Sequence, residues 1–298
     1  MSNPPTPRRE HPSTYTVQDR SNEEELTRLQ IQDQMITTSM GGVLPEQSDP
    51  TNWRRVLDVG CGTGGWLIAT AKAYPNLSVL IGAEVSKRMV DAARAQAEAQ
   101  HVGDRVEFHV QDALRMLEFP TGYFDLVNQR FAVSWLRTWE WPKLLDEYKR
   151  VCKRGGVIRI TESDMVIDQS SSPAMTRLFE LFLDALYRAG HYFTPEKNGV
   201  LNQLAPLLTQ HGVRDVQTRA YTLSYRTGTP EGEQFSQDMQ RAFRTTLPFM
   251  RKWSQVPDDY EAIYQQMLLE MKQPDFVAPW NLLTVWGTGP GYVLARKD

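Results

Sequence analysis

The chain has 298 residues, of which 41% are hydrophobic and 23% charged, and its formal net charge at pH 7 is −3. These values are ordinary for a globular protein that buries a sizeable core, either as one large α/β domain or as a core domain with a smaller appendage. Lysine and arginine are interspersed with the acids, whereas a protein that follows phosphate groups concentrates its bases in a stripe, so we expect no nucleic-acid partner.

The first forty residues predict a tail followed by a helix. Residues 1–13 contain four prolines and mixed charge, a composition typical of a disordered segment. Between residue 22 and about residue 40, acids come first, and Leu26, Leu29 and Met35 share one face. This pattern predicts a helix.

Strands and helices then alternate up to residue 163. The predicted strands are RRVLDVG, LSVLIGAEVS, RVEFHVQDA, YFDLVNQRF and GGVIRITES. The predicted helices are GGWLIATAKAYP, KRMVDAARAQAEAQ with Ser86 as its cap, and WPKLLDEYKRVC with Pro142 in its first turn. The alternation predicts a parallel sheet covered by helices on both faces.

After residue 163 the pattern becomes mainly helical. SPAMTRLFELFLDALYRAG predicts one helix, and TPEKNGVLNQLAPLLTQHG predicts a second that Thr194 caps and Gly212 ends. A strand (VRDVQTRAYTLSY), two helices (EGEQFSQDMQRAFRTTLPFMRKW and PDDYEAIYQQMLLEMK) and a last strand (NLLTVWG) follow. Their large apolar side chains either pack among themselves or line a pocket over the carboxyl edge of the sheet. These are Tyr187, Tyr192, Phe193, Phe243, Phe249, Met250, Trp253, Tyr260 and Met267.

Cysteine content and hydropathy suggest the compartment. The only cysteines are Cys61 and Cys152, too few for a disulfide framework or a zinc site, so we expect a reducing compartment and no bound metal. No eighteen apolar residues run together, and the opening MSNPPTPRREHPST has no apolar run. We therefore expect no membrane span and no signal peptide, and place the protein in the cytoplasm.

The stretch VLDVGCGTGG, residues 56–65, carries the main chemical signal. Gly60, Gly62 and Gly65 meet the spacing of a dinucleotide-binding turn, in which backbone N–H groups approach a pyrophosphate. Asp58 would face the negative charge of that group, which makes a dinucleotide an awkward ligand. The acid suits a cationic ligand such as S-adenosylmethionine, which carries an ammonium and a sulfonium.

VLDVGCGTGG resembles the first motif of the class I S-adenosylmethionine-dependent methyltransferases. Four further segments follow in the family's order, IGAEVS, VQDA, DLVNQRF and RVCKRGGVIRI, although Arg154 stands where proline is usual. The resemblance implies S-adenosylmethionine as cofactor and an α/β fold. That fold is a Rossmann-like seven-stranded sheet, of order 3-2-1-4-5-7-6 with the last strand antiparallel, under a helical cap.

The resemblance also implies roles for single residues. Glu84 matches the acid that binds both ribose hydroxyls, and Asp112 matches the acid that contacts the adenine amino group. Residues 128–130 border the methyl-transfer site, and Cys61 is expected to fill the turn rather than act as a nucleophile. The implied cofactor-binding residues are Tyr15, Asp58, Gly60, Cys61, Gly62, Glu84, Val85, Asp112, Ala113, Asn128 and Gln129.

A second resemblance precedes the core. YTVQDRSNEEELTRLQIQ resembles the Y…E-x-x-R-L-x-x-Q segment of the small-molecule-acting subgroup, in which a tyrosine and a helix fold over the methionine end of the cofactor. Tyr15, Arg28 and Gln32 are the counterparts, and an ordinary solvated helix with charge pairs is the alternative. The expected division is a tail (1–13), a lid (14–45), a core (46–163), and cap helices that complete the sheet (164–298).

Methyl transfer from a sulfonium is an in-line displacement, which needs a base only where the acceptor must lose a proton. Glu162 and Asp164 follow the fifth strand and are candidate bases, as is His191 between two cap helices. His191 could instead be an ordinary loop residue. The predicted catalytic set is His191, Glu162 and Arg130.

The acceptor is the least determined part. Trp135, Trp139 and Trp141 either form an aromatic wall or seat the following helix. An aromatic cap favours a small apolar or aromatic acceptor, methylated at oxygen, nitrogen or carbon. Two alternatives stay open: an NAD(P)-dependent oxidoreductase, and a non-catalytic partner protein that binds the cofactor.

Overall fold

The structure is a computed structural model that describes residues 14–17, 23–47, 49–167 and 169–291. The predicted disordered tail lies outside these residues. The strands are β1 Arg55–Val59, β2 Val79–Glu84, β3 Val106–Val110, β4 Phe124–Arg130, β5 Cys152–Ser163, β6 Arg214–Arg226 and β7 Val277–Thr288. The helices are α1 Glu23–Ser39, α2 Gly65–Ala73, α3 Lys87–Ala99, α4 Trp141–Val151, α5 Pro173–Arg188, α6 Leu201–Gln210, α7 Pro230–Thr245, α8 Leu247–Trp253 and α9 Tyr260–Glu270.

The seven strands form one sheet in the order β3-β2-β1-β4-β5-β7-β6. The first five are parallel, and β7 runs antiparallel to both of its neighbours. This confirms the α/β fold and the predicted strand order. Because parallel strands end at one edge, the sheet gathers the carboxyl ends of β1 to β5, where open α/β folds bind ligands.

Two apolar cores cover the sheet, one on each face. Successive residues of β1 point to opposite faces, so Val56 packs with α2 and α3 whereas Leu57 packs with α4 and the later helices. Both side chains are fully buried, which stabilises the fold by about 1.5–3 kcal/mol each. The near-continuous apolar runs of the central strands follow from burial on both faces.

Two predictions about the later helices were wrong. Thr194 does not cap α6, which begins only at Leu201. Residues 194–199 instead form a tight turn, in which a Cβ on Gly199 would lie 2.5 Å from the carbonyl oxygen of Thr194. Gly212 does end this helix region, with a φ of 81°.

The predicted long helix over residues 231–253 is in fact two helices, α7 and α8. Pro248 has no N–H to donate to the carbonyl of Arg244, so the helical hydrogen bonding is interrupted there. Thr246 joins the two helices, and α8 packs on α5 whereas α7 packs on α1.

α5 and the helices between β6 and β7 cover the carboxyl edge of the sheet, whereas α6 packs on β5, β6 and β7. Arg226 at the end of β6 pairs with Val277 at the start of β7, so the segment that holds α7 to α9 leaves and re-enters the sheet at neighbouring positions. α1 packs on α7 and completes the cover. Across the described ranges, we find no helix with the length and apolar character needed to cross a membrane.

Candidate active site

A cavity of about 1020 Å³ lies between the carboxyl edge of the sheet and the helices that cover it. Its lower half is formed by the turn after β1, the ends of β2 to β4, and α1. Its upper half, the cap side, is formed by α5, α7, α8 and the segment between β4 and α4. We call the two halves the cofactor side and the cap side.

The glycine-rich turn forms the floor of the cofactor side. Gly60 and Gly62 have φ values of 67° and 53°, a conformation that favours glycine. A Cβ on Gly60 would also lie 3.2 Å from the ring of Trp135, so the turn and the aromatic side chain fit closely. Cys61 lines the cavity, and burial raises the pKa of its thiol well above the ordinary value, as expected of a filler.

Asp58 lies under this turn at the end of β1 and is 4% exposed. It accepts a hydrogen bond from Nδ2 of Asn128 at 2.7 Å. Burial raises the pKa of Asp58 to about 7, against the opposing effect of the Arg130 guanidinium. The carboxylate is therefore poised to ionise when a cation binds beside it.

Asn128 does not line the cavity but belongs to a buried polar chain beneath it. Nη1 of Arg159 donates to Oδ1 of Asn128 at 2.8 Å, and Nε of Arg159 donates to Glu46 at 2.5 Å. These hydrogen bonds fix the side-chain amide of Asn128 so that its N–H points at Asp58. Asn128 is one of the predicted cofactor-binding residues, whereas Arg159 and Glu46 were not predicted, because they look like ordinary strand and loop residues in the sequence.

Glu84 ends β2 beside the glycine turn. Its Oε2 accepts from the backbone N–H of Gly62 at 3.2 Å, and its Oε1 accepts from the N–H of Ser86 at 2.9 Å. Val85 follows it, lines the cavity and is 46% exposed. The structure thus places the predicted ribose-binding acid at the wall of the cavity.

Asp112 and Ala113 line the same side after β3. Asp112 accepts from the N–H of Leu114 at 2.9 Å and pairs with Arg115 at 3.4 Å. Met116, next to them, is 75% exposed and also lines the cavity. An acid beside an apolar surface suits a flat heterocycle with an amino group.

Arg130, at the end of β4, lines the cavity and is held by the lid. It pairs with Asp33 of α1, and its Nη1 donates to Oγ1 of Thr37 at 3.3 Å. No pattern in the sequence pointed to Asp33, because its partner lies 97 residues away.

Glu162 and Gln129 lie behind the wall rather than along it. Nε2 of Gln129 donates to Glu162 at 2.6 Å, and the N–H groups of Ala132 and Val133 donate to the same carboxyl at 2.6 and 3.3 Å. Burial raises the pKa of Glu162 to about 8, although these donors favour the ionised form. The carboxyl thereby holds the turn after β4, where Phe131 has a φ of 56°.

His191 is also remote from the cavity lining. It is 1% exposed, its Nδ1 lies 2.8 Å from the carbonyl oxygen of Val133, and its ring meets Phe249 edge-on at 5.9 Å. Burial lowers the pKa of His191 to about 4, with help from the nearby Arg137. Asp164, the third candidate base, is buried beside Asn281 and does not line the cavity either.

The N-terminal lid carries a buried network rather than a solvated face. The hydroxyl of Tyr15 donates to Glu25 at 2.6 Å, and Arg28 donates to Glu25 at 2.7 Å and to Asp238 of α7 at 3.0 Å. Gln32 donates to the other oxygen of Asp238 at 3.1 Å. All but Asp238 line the cavity, so the network ties the lid to the cap across the site.

The charges of this network compensate each other. Burial opposes the ionisation of Glu25, but Arg28 outweighs it and lowers the pKa of that carboxyl. Burial raises the pKa of Asp238, and Arg28 only partly offsets the effect. A cation shared by two buried acids is costly to disturb, because removing one partner leaves the others uncompensated.

The three tryptophans have separate roles. Trp135 lines the cavity above Gly60, Trp139 is 61% exposed, and Trp141 begins α4 and is buried in the core. The cap aromatics divide in the same way, some forming the core and some the cavity wall. The wall is formed by Phe131, Met165, Phe179, Phe182, Met239, Phe243 and Trp280.

Among the residues that the structure describes, no three His, Cys, Asp or Glu side chains lie close enough together to bind a metal ion.

Residues 56–156 match a family described as Methyltransferase domain. Ajmaline N-methyltransferase from Rauvolfia serpentina is 38% identical over 107 residues, 36% of this chain and 35% of that protein. Geranyl diphosphate 2-C-methyltransferase from Saccharopolyspora erythraea is 34% identical over 136 residues, 44% of this chain and 42% of that protein. The chain thus spans less than half the length of these two curated relatives.

Solved structures show the same fold at lower identity. The YcgJ protein from Bacillus subtilis has a TM-score of 0.53 and 18% identity, covering 84% of this chain and 97% of that one. A phosphoethanolamine N-methyltransferase from Haemonchus contortus has a TM-score of 0.52 and 19% identity, covering 85% and 52%. The family match and the strand order together identify residues 56–156 as a methyltransferase domain within a Rossmann-like sheet.

Proposed function

We propose that the protein transfers the methyl group of S-adenosylmethionine to a small apolar or aromatic molecule. One observation carries the proposal: a single cavity of about 1020 Å³ runs from the acid-flanked glycine turn to an aromatic cap. Drug-sized ligands occupy cavities of roughly 300–1,000 Å³, so the volume suits a nucleoside-sized cofactor with a modest acceptor beside it.

The cofactor side supplies the groups that such a cofactor needs. Glu84 offers a carboxylate for the ribose hydroxyls, Asp112 one for the adenine amino group, and Asp58 one for the ammonium. The glycines let the backbone come close to the ligand. Tyr15 and α1 cover the methionine end.

The aromatic wall of the cap side supplies a shaped apolar surface. Phe131, Phe179 and Phe243 present apolar surface, which favours an acceptor with an apolar or aromatic body. The curated relatives are named for ajmaline, aklanonic acid, geranyl diphosphate and demethylmenaquinone, all small organic molecules. These names support the class of acceptor proposed for this chain.

The reaction is a displacement in which the acceptor atom attacks the methyl carbon from the side opposite sulfur. The bond to sulfur breaks as the new bond forms, and the positive charge of the sulfonium is neutralised. Holding the two reactants in line and excluding water provides most of the acceleration. Arg130 and Phe131 border the point where the two halves of the cavity meet.

Base roles for Glu162 and His191 remain predictions. Neither side chain lines the cavity, and each contacts the turn of residues 131–133. We therefore favour a positioning role for both, in which they hold Phe131 at the junction of the two halves.

The two alternatives have less support. An NAD(P)-dependent oxidoreductase gives Asp58 and Asp112 no special role, and the matched relatives include an ajmaline N-methyltransferase and an aklanonic acid methyltransferase. A non-catalytic partner protein would not need a cavity on the cap side. We also keep the cytoplasm as the proposed compartment, on the two free cysteines, and the proposed division into lid, core and cap.

The test is a calorimetric titration with S-adenosylhomocysteine, and with NADH and NADPH in parallel. Micromolar binding of S-adenosylhomocysteine alone is expected. Binding of a nicotinamide cofactor alone would overturn the proposal, and methyl transfer from labelled cofactor to any acceptor would exclude the non-catalytic alternative.

A further inference from the structure

The charged side chains of the cavity are distributed unevenly between its two sides. On the cofactor side each arginine has an acidic partner: Arg28 pairs with Glu25, Arg130 with Asp33, and Arg115 with Asp112. Asp58 and Glu84 add two further carboxyl groups to this side. This side therefore suits a ligand that carries positive charge.

The cap side shows the opposite. Arg137 lines the cavity, forms no ion pair with any residue that the structure describes, and has a buried Nε that lacks a hydrogen-bond partner there. Its guanidinium lies 5.3 Å from the ring centre of Trp139. Glu140 also lines this side, and its carboxylate accepts a hydrogen bond from the backbone N–H of Arg137 at 2.8 Å.

Two lysines add to the positive charge of this side. Lys252 and Lys143 line the cavity, and both are exposed and without an ion pair among the described residues. Lys252 lies one helical turn after Phe249, whose ring contacts His191, and His191 in turn feels the charge of Arg137. The buried imidazole is neutral, so it does not supply a compensating charge.

A buried guanidinium N–H with no acceptor is costly, because the donor has lost its hydrogen bond to water and gained none in return. A carboxylate or a phosphate offers two oxygens to a guanidinium and can accept two parallel hydrogen bonds from it. The aromatic wall adjoining Arg137 leaves room for the apolar part of the same molecule.

We propose that the methyl acceptor carries an anionic group, a carboxylate or a phosphate, which Arg137 binds with Lys252 as a second cation. Its apolar body lies against the aromatic wall, so that the anion fixes which atom faces the methyl group. The inference rests on the proposed function, whose acceptor class it narrows.

The test uses two fluorescent probes of the same shape that differ by one sulfonate: 8-anilinonaphthalene-1-sulfonate and the neutral N-phenyl-1-naphthylamine. Both are titrated into protein saturated with S-adenosylhomocysteine. The variants are R137Q, the surface control R177Q, which removes the same charge from an exposed site, and A242W, which fills the cavity wall.

We expect the anionic probe to bind about tenfold more tightly than the neutral one, and R137Q to remove that preference while the neutral probe binds as before. R177Q should change neither affinity, and A242W should weaken both. Equal binding of the two probes, equal loss of both in R137Q, or anionic binding that survives A242W would overturn the inference.

Failure of the proposed function would look different. S-Adenosylhomocysteine would then not bind to the unmodified protein, whatever the probes do. The same titration on each variant also reports whether it is folded.

Discussion

The two sides of the cavity differ in how far apart in the sequence their lining residues lie. The floor of the cofactor side consists of glycines, backbone N–H groups and acids at the ends of β1, β2 and β3, within residues 58–113, and α1 and the end of β4 complete this side. The cap side consists of side chains from α5, α7, α8 and β7, which the chain brings together over more than a hundred residues. The cofactor is thus expected to be bound by groups that lie close together in the sequence. The acceptor is expected to be bound by a surface that forms only when distant helices pack together.

The largest expected effect tests whether the two sides are independent. Arg28→Met removes the one cation between Glu25 and Asp238, and should lower the free energy of unfolding by about 3–5 kcal/mol. Denaturant unfolding measures the loss. The control Arg188→Met breaks an exposed pair with Asp184 and should cost about 0–1 kcal/mol.

The same variant has a pH signature. The two acids that Arg28 separates would repel each other when ionised, so the stability of Arg28→Met should recover as the pH falls and they become protonated. Equal losses in the two variants, or a loss independent of pH, would show that the network does not join lid and cap.

The next effect should be confined to the cofactor side. Glu84→Ala removes two charge-assisted hydrogen bonds to the ribose and should weaken S-adenosylhomocysteine binding by roughly 2–4 kcal/mol. Calorimetry measures it, with Glu98→Ala on the outer face of α3 as control. Unchanged affinity would remove Glu84 from the site.

A smaller effect concerns Asp58 and pH. In the free protein its pKa is about 7, and a bound ammonium should lower that pKa, so binding releases a proton. Affinity should be full above pH 7 and fall as the pH decreases, by up to about tenfold per pH unit. Titrations between pH 5.5 and 8.5 measure this. Asp58→Asn should bind more weakly with a flat profile, and an equally sloped profile would contradict the assignment.

The smallest expected effect is on the cap side. His191→Ala should change S-adenosylhomocysteine affinity by less than about twofold, because His191 contacts the turn at Val133 and not the cavity. Turnover on an acceptor is the second readout. A loss that disappears at high pH would support a base, and a loss at every pH would support positioning.

The same division explains what could be predicted from sequence. Asp58, Glu84 and Asp112 each follow a strand directly, so a local motif was enough to place them on one edge. Asp33 and Asp238 could not be predicted, because each matters through an ion pair with an arginine that lies 97 or 210 residues away in the sequence. The helix start at Thr194 was predicted wrongly because only the capping residue was visible in the sequence. The close approach of Gly199 to the carbonyl of Thr194 forms a turn there instead.

The pairing of Arg226 with Val277 has a consequence for how acceptor preference can change. The fifty residues between them begin and end at adjacent rungs of one β-ladder, so the sheet constrains only where they attach and not how long they are. Loop-closure entropy grows only slowly with length, and a tight hairpin could join the same two rungs. Transplanting residues 227–276 between relatives, with Asp238 retained as the partner of Arg28, should therefore transfer the acceptor preference and leave the cofactor side in place.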